Sequence, residues 1–283
     1  MTILENENLA QYATMKIGGI AKRFYIPESI DDLIALTRDI GQDNLLILSG
    51  GSNLLINDKK MFEHVVYMRK LDERIIDNSD GRFYCGASVR IQKFLMFIND
   101  RNRGGVEYLC SLPAMMGGII YMNAGLGKKD GFSISDFIQS VYILRGGREL
   151  KLEKQECGFA YRKSMFHETR DIILGAEFRF PIQDKKISEK AISERINMCA
   201  LKQDNSGGNF GSIFSVSNGH IMTLLKRSGV GFRNGVAYSS KSSNWLINKS
   251  KGTYGQALVL IKLCRLLHWL SFRKVKLEIV LWR

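Results

Sequence analysis

The chain has 283 residues, enough for two domains, and its 45% hydrophobic and 24% charged content excludes a disordered, collagenous or low-complexity protein. The formal net charge is +13, and it is unevenly placed: residues 1–184 carry 24 Lys and Arg against 24 Asp and Glu, whereas residues 185–283 carry 17 against 4. A field of that sign favours anionic ligands such as a nucleotide diphosphate, a phosphorylated metabolite, nucleic acid or an anionic membrane, with a solvated basic surface as the plain alternative.

The opening residues, Met1-Thr2-Ile3-Leu4-Glu5-Asn6-Glu7, show neither a basic-then-apolar signal nor transit-peptide character, so a cytoplasmic protein is expected. Pro27-Glu28-Ser29 ahead of Ile30, with Asp31 and Asp32 in the first turn, predicts a helix over 27–42. An apolar run at 45–48 reads as a buried strand, which stops at Gly50-Gly51-Ser52-Asn53 before a second apolar run at 54–56. Two glycines permit a sharp bend and close approach of a ligand, and Ser52, Asn53 and bare N–H groups of such a turn can donate to phosphate oxygens. A simple turn between two strands accounts for the same residues.

Further strands are expected at 64–68, 82–85, 141–144 and 172–180, and a helix at 91–101. The polar stretch 182–190 is the expected domain boundary. Helices follow at 186–202, 219–228 and 252–270, the last with Thr253 as N-cap and a core face of Ala257, Leu260, Ile261, Cys264 and Leu267. Lys262, Arg265 and His268 make that helix too charged, and its length too short, to span a bilayer. Residues 275–281 alternate as a terminal strand. The order suggests mixed α+β layers. Five scattered cysteines without a C-x-x-C pair argue for reduced thiols, and four dispersed histidines give no metal-ligand spacing, so no metal is expected.

Three later segments can carry chemistry. Leu112 to Gly127 holds Pro113, Gly117, Gly118, Asn123, Ala124 and Gly125 among apolar residues. It fits neither the Rossmann nor the Walker pattern, and either a ligand-facing surface or tightly packed backbone turns would produce it. Tyr161-Arg162-Lys163-Ser164 offers an arginine able to clamp a carboxylate or phosphate, or a solvated loop. Gly207-Gly208-Asn209-Phe210-Gly211-Ser212-Ile213-Phe214 places a hydroxyl beside flexible backbone, with no base at short range to activate it as a nucleophile.

Together and in this order, with Tyr12-Ala13-Thr14-Met15-Lys16-Ile17-Gly18-Gly19 before them, these segments resemble the UDP-N-acetylenolpyruvoylglucosamine reductases, flavoenzymes of bacterial cell-wall precursor synthesis. The similarity runs from about residue 10 to the C-terminus. It implies an α+β fold: an FAD-binding domain of the vanillyl-alcohol-oxidase (PCMH) type over 1–185, in two α+β subdomains of about 1–68 and 69–185, joined by the C-terminal strand 272–283. A smaller α+β substrate-binding domain would occupy 186–271. FAD would lie against Gly50, Gly51, Ser52, Asn53, Leu54 and Leu55, and against Pro113, Gly117, Gly118, Asn123, Ala124 and Gly125. NADPH would supply the hydride. Arg162 would stabilise the enolate-like intermediate, Ser212 would protonate it, and Glu278 would assist. Tyr161, Lys241 and Asn244 would bind the anionic UDP-sugar. A monomer is expected, with no nucleic-acid or membrane partner.

The substrate half departs from the family. Lys-Asn-Pro after Gly-Ser-x-Phe is Ser215-Val216-Ser217, the histidine of Ser-x-Lys-His-x-Asn-Phe is Ser242, and Pro-Gly in the second flavin segment is Pro113-Ala114. The closing Glu-Pro-Glu-Val pattern reads Lys276-Leu277-Glu278-Ile279-Val280. These changes leave open a related flavin reductase for another anionic nucleotide-linked substrate, or a non-catalytic flavin-fold binding protein.

Overall fold

The computed structural model describes residues 1–127 and 131–283. Its elements run β1 (Thr2–Asn8), β2 (Ile20–Ile26), α1 (Ile30–Ile40), β3 (Leu46–Leu48), β4 (Leu54–Ile56), β5 (Met61–Tyr67), β6 (Ile75–Asp77), β7 (Arg82–Gly86), α2 (Ile91–Asn99) and α3 (Met116–Tyr121). After these come β8 (Ile138–Arg145), β9 (Arg148–Glu153), α4 (Phe166–Thr169), β10 (Ile172–Arg179), α5 (Lys185–Lys202), β11 (Phe214–Val216) and α6 (Gly219–Ser228). The chain closes with β12 (Val236–Tyr238), β13 (Leu246–Asn248), α7 (Tyr254–Leu270), β14 (Lys276–Leu277) and β15 (Val280–Trp282).

The capped helices form where the sequence places them. The Ser29 hydroxyl accepts the Asp32 N–H at 3.1 Å to start α1, and Gly41 ends it at φ 85°. Asn218 caps α6 by accepting from His220 and Ile221 at 3.0 and 3.3 Å, and Thr253 caps α7 by accepting from Gln256 at 3.2 Å. Three features differ from expectation. The polar stretch 182–190, read as the domain boundary, lies inside one compact unit, where α5 starts at Lys185, beside the expected 186, and is docked by the Ser188 hydroxyl donating to Glu107 at 2.8 Å. The glycine-rich 112–127 segment contains the short helix α3. The terminal strand is two pieces, β14 and β15, interrupted at Glu278 and Ile279.

One sheet has the order β1-β2-β5-β3, with β3 and β5 parallel; a second, β6-β7-β10-β8-β9, is antiparallel throughout. By contact density the chain divides into two compact units: Met1–Leu4, Arg23–Gly50 and His64–Met198 form the first, and Glu5–Lys22, Gly51–Glu63 and Cys199–Arg283 the second.

The first unit packs α2 and α3 on the five-stranded sheet, with Phe94, Ile98 and Ile120 buried against Val141, Ala176 and Phe178. A second cluster within it seats Leu33 and Leu36 of α1 with Val66, Leu144 and Leu174. In the second unit α6 and α7 cover Met15, Ile17, Leu55, Val236 and Leu246. There β15 runs parallel to β4, with Val280 opposite Leu54 and Trp282 opposite Ile56. The C-terminal strand therefore returns to the N-terminal part of the sequence, as expected, and its partner is the strand that follows Gly50-Gly51.

All five cysteines are free and buried; burial pushes the Cys264 thiol up to about 11 and the Cys157 thiol up to about 12. Among the described residues no helix is long and apolar enough to cross a membrane, and no group of three or more His, Cys, Asp or Glu is arranged to hold a metal ion.

Asn248 fastens the N-terminal segment to the second unit's core. Its buried amide donates to Met15 O at 3.0 Å and accepts from the Gly252 N–H at 2.8 Å. Asn248→Ala strands both partners, and a loss of about 2–4 kcal/mol is expected in urea unfolding, from two unsatisfied buried groups.

Candidate functional site

In the first unit the glycine-rich segment lies against the residue that precedes the first glycine turn's bend. A Cβ built on Gly50 would come within 3.1 Å of Pro113 O and 3.4 Å of the Ala114 Cα. Three glycines of the second segment have different reasons to lack a side chain. On Gly125 a Cβ would sit 2.0 Å from Phe132 O, so packing requires glycine there, while on Gly117 it would press on the Ala87 Cβ at 3.1 Å. On Gly118 the nearest atom is the Ser49 hydroxyl at 3.5 Å. That hydroxyl is buried with no hydrogen-bond partner among the described residues. Gly118 and Ser49 thus border the stretch that has room for a ligand and a polar group to spend on it. Ala124 is packed against the core, so its side chain is committed there.

Arg162 occupies a two-residue turn closed by reciprocal Ala160 and Lys163 backbone hydrogen bonds of 2.9 and 3.0 Å, and it takes the left-handed backbone at φ 53°. Its guanidinium donates to Gly125 O at 2.7 Å and lies over the Tyr161 ring, 5.2 Å from the centroid. Asn123 is buried in left-handed backbone; its amide donates to Ala160 O at 3.0 Å and accepts from the Ser135 N–H at 3.2 Å. The Asn123 amide thus anchors the base of the arginine turn. The buried Tyr108 hydroxyl has no partner among the described residues, and burial, with Asp136 nearby, raises its pKa, so it stays a neutral donor.

In the second unit Gly51 meets the N-terminal segment. Its φ is 61° and a Cβ would lie 2.0 Å from Tyr12 O, so only glycine fits. Thr14 N–H donates to Gly51 O at 3.1 Å, while the buried Thr14 hydroxyl lacks a partner among the described residues. Asn53 joins this turn to the end of the chain: its amide donates to Glu278 O at 3.2 Å and its carbonyl accepts from Val280 N–H at 2.9 Å. The Glu278 N–H in turn donates at 2.8 Å to Ile213 O, one residue past Ser212. Asn53, Ser212 and Glu278 are therefore brought together through backbone. Leu55 is fully buried in the core, so only its backbone is available to a ligand.

Ser212 lines a cleft of about 520 Å³ together with Lys202, Lys226, Lys241, Ser242 and Trp245. Among the described residues no carboxylate lines it. Asn244, expected to contact substrate, accepts from the Phe214 N–H at 3.1 Å and donates to Phe214 O at 2.8 Å, which fixes the strand after Ser212. Lys241 is held by a different network. Burial works to raise the Asp204 carboxyl, but hydrogen bonds from Ser206 and Ser239, with the Lys241 charge, outweigh it and hold the pKa below the ordinary 3.8. The Ser239 hydroxyl donates to Asp204 at 2.6 Å and accepts the N–H groups of Lys241 and Ser242 at 3.0 and 2.8 Å. The Lys241 ammonium donates to Ala200 O at 2.8 Å, and the Ser242 hydroxyl donates to Lys202 O at 3.0 Å.

Sequence reasoning missed Lys202, Lys226, Ser49 and Thr14 as site residues. Both lysines fall in the last turn of a helix, where a basic residue is already explained by the helix dipole.

Residues 21–151 match the family profile described as FAD binding domain. The UDP-N-acetylenolpyruvoylglucosamine reductase of Carboxydothermus hydrogenoformans is 32% identical over 98% of this chain and 93% of its own length. The chain belongs to this family. The enzyme of the same name from Geobacter metallireducens is 31% identical over 91% of this chain and 86% of its own. The crystal structure of UDP-N-acetylenolpyruvylglucosamine reductase from Thermus caldophilus superposes with a TM-score of 0.81 over 100% of this chain and 98% of its own, at 21% identity. The fold is accordingly the expected one: α+β, with an FAD-binding domain of the vanillyl-alcohol-oxidase type and a smaller α+β domain. The residues present suit FAD. In the first unit the Ser49 hydroxyl beside the open face of Gly118, and in the second the Thr14 hydroxyl, are donors without an acceptor among the described residues.

Because the Asp204 pKa is depressed, its contribution to stability is present above pH 3.8 and is lost as pH falls through the lower folded value. Ser239→Ala removes one cause of the depression. The expected loss is about 1–3 kcal/mol at neutral pH. The carboxylate's share of that loss should fade below pH 3.8 when urea midpoints of variant and parent are compared across acid pH.

Proposed function

We infer that this chain reduces the enolpyruvyl ether of UDP-N-acetylglucosamine to UDP-N-acetylmuramate, a step of peptidoglycan precursor synthesis, and that Arg162, Ser212 and Glu278 serve that reaction. It is a flavoprotein oxidoreductase with FAD as bound cofactor and NADPH as co-substrate. FAD, when bound, passes the hydride of NADPH on to the substrate's β-carbon. In the first unit Gly50, Pro113 and Gly118 with Ser49 would hold it, and in the second Gly51 to Leu54 with Thr14.

The observation that carries the substrate reading is a hydroxyl, Ser212, in a cleft that, among the described residues, is lined by three lysines and no carboxylate. A UDP-sugar brings a diphosphate and a carboxylate, and this cleft offers Lys202, Lys226 and Lys241 to them. The same positive field favours loss of a proton from Ser212 to a carbanionic neighbour. Lys241 keeps its place because Ser239 and Asp204 hold its backbone. Ser242, standing where the family has histidine, fixes the Lys202 backbone. Arg162, steadied by Gly125 and by the Asn123-supported turn, is the cation for charge developing on the substrate carboxylate. The Glu278 backbone, hydrogen-bonded to Ile213 and to Asn53, holds this residue at the break between β14 and β15, next to the segment that bears Ser212.

The expected domain ranges, 1–185 with 272–283 for FAD and 186–271 for substrate, remain our proposal for the division of labour. A cytoplasmic location is proposed on the five free thiols.

An anaerobic titration tests the reading. NADPH should bleach the flavin of the parent and of Ser212→Ala alike. Reoxidation by the UDP-linked enol ether should be slower in Ser212→Ala by about 10²–10⁴-fold, the scale of a lost general acid. Equal reoxidation removes Ser212 from the mechanism. Bleached parent flavin that this substrate fails to reoxidise assigns the chain to another anionic nucleotide-linked substrate, as the altered substrate-side motifs allow. Lys226→Ala combined with Lys241→Ala should leave bleaching unchanged and raise KM for the UDP-sugar by about 10–100-fold, from lost charge-assisted hydrogen bonds.

A further inference from the structure

The helix α7 has two apolar stripes. Ala257, Leu260, Ile261, Cys264 and His268 form the buried one. Val259, Leu266, Trp269 and Leu270 are exposed on the other side, Trp269 at 72%. Positions 259, 262, 266, 269 and 270 recur at three- and four-residue steps and so share one face. Lys262 and Arg265 are exposed on the same helix, and Arg273 and Lys274, also exposed, follow directly.

The exit from α7 is unusual. Phe272 takes left-handed backbone at φ 51° and is 97% exposed. Glycine normally fills that position after a helix, because a side chain is disfavoured there. The turn is closed by Phe272 N–H donating to Trp269 O at 3.0 Å and Arg273 N–H donating to His268 O at 2.8 Å. A disfavoured backbone thus holds out a ring that is almost wholly exposed among the described residues.

Charge selects the occupant. Residues 205–277 contain eleven Lys and Arg and no Asp or Glu. A second copy would bring the same field and be repelled. Single-stranded nucleic acid uses basic and aromatic groups but leaves aliphatic residues such as Val259, Leu266 and Leu270 unexplained. Aromatic and aliphatic side chains framed by Lys and Arg are the composition of helices that lie in a lipid interface, and an anionic leaflet attracts each basic residue near it.

We propose that the outward face of α7 and the turn after it form a docking surface for an anionic lipid bilayer. Trp269, Leu270 and Phe272 enter the headgroup layer, and Lys262, Arg265, Arg273 and Lys274 meet lipid phosphates. The contact is peripheral and lies along one face of a helix that does not span. It revises the expectation that no membrane is a partner, and it is independent of the substrate assignment.

The test is co-sedimentation of the flavin-loaded full chain with phosphatidylcholine vesicles and with vesicles of equal parts phosphatidylcholine and phosphatidylglycerol, at low and high salt. Partition into the anionic vesicles is expected, with little into the neutral ones and a decline as salt rises. Trp269→Ser with Phe272→Ser should lower the partition coefficient roughly tenfold or more. Arg273→Glu with Lys274→Glu should do the same and flatten the salt dependence. Both pairs should keep bound flavin and turnover in solution, and if the first pair loses flavin the second decides. Absence of binding to anionic vesicles, equal binding to both vesicle types, or a dimer in sedimentation equilibrium that the Trp269 and Phe272 substitutions dissolve would each overturn the proposal.

Discussion

The approach of Gly51 to the carbonyl of Tyr12 leaves no space for a Cβ, and the arrangement of the second unit depends on it. With that contact made, Thr14 bonds back to Gly51 and the chain turns into β4 with Asn53 at the bend. Asn53 then meets Glu278 and Val280, β15 pairs alongside β4, and the Glu278 N–H reaches the residue beside Ser212. Each link is a backbone hydrogen bond or a short amide contact rather than a long side chain in solvent. Such links lose little conformational entropy on forming and fix position closely.

The second unit combines this fixed backbone with an unopposed positive field. A lysine cluster costs self-repulsion, which is tolerated where solvent or an anion screens it. Two of the cleft's three lysines are placed by hydrogen bonds to carbonyls: the Lys241 ammonium donates to Ala200 O, and the Ser242 hydroxyl donates to the backbone carbonyl of Lys202. Among the described residues no carboxylate at the cleft then competes with a phosphate for the ammonium groups. Asp204, the nearest acid in this network, spends its charge on Ser206 and Ser239. In the first unit Arg162 is steadied likewise by a carbonyl, that of Gly125.

Much of this was legible in the sequence. Helices with an apolar stripe and a cap, such as α6 with Asn218 and α7 with Thr253, carry their own boundaries. The Gly50-to-Leu55 turn was also visible, because paired glycines between two apolar runs mark a sharp backbone bend. The three-residue strands β12 and β13 were not visible, since their pairing partner rather than their composition defines them. The grouping of 5–22 and 51–63 with 199–283 was hidden for the same reason: it rests on contacts such as Asn53 to Glu278, 225 residues apart. Within the site, sequence could not separate Gly125, required by packing, and Gly117, tightly packed on Ala87, from Gly118, whose open side is available. Nor could it show that Asn123 and Asn244 direct their amides at backbone.

The five cysteines close with a practical consequence. All are buried, and burial weakens the acidity of Cys85, Cys157 and Cys264, so reactive thiolate is scarce on the native surface. A single cysteine introduced at an exposed position would therefore be the preferred target of a maleimide dye or spin label, with no native cysteine removed first. The molecule arrives already suited to distance spectroscopy between chosen points.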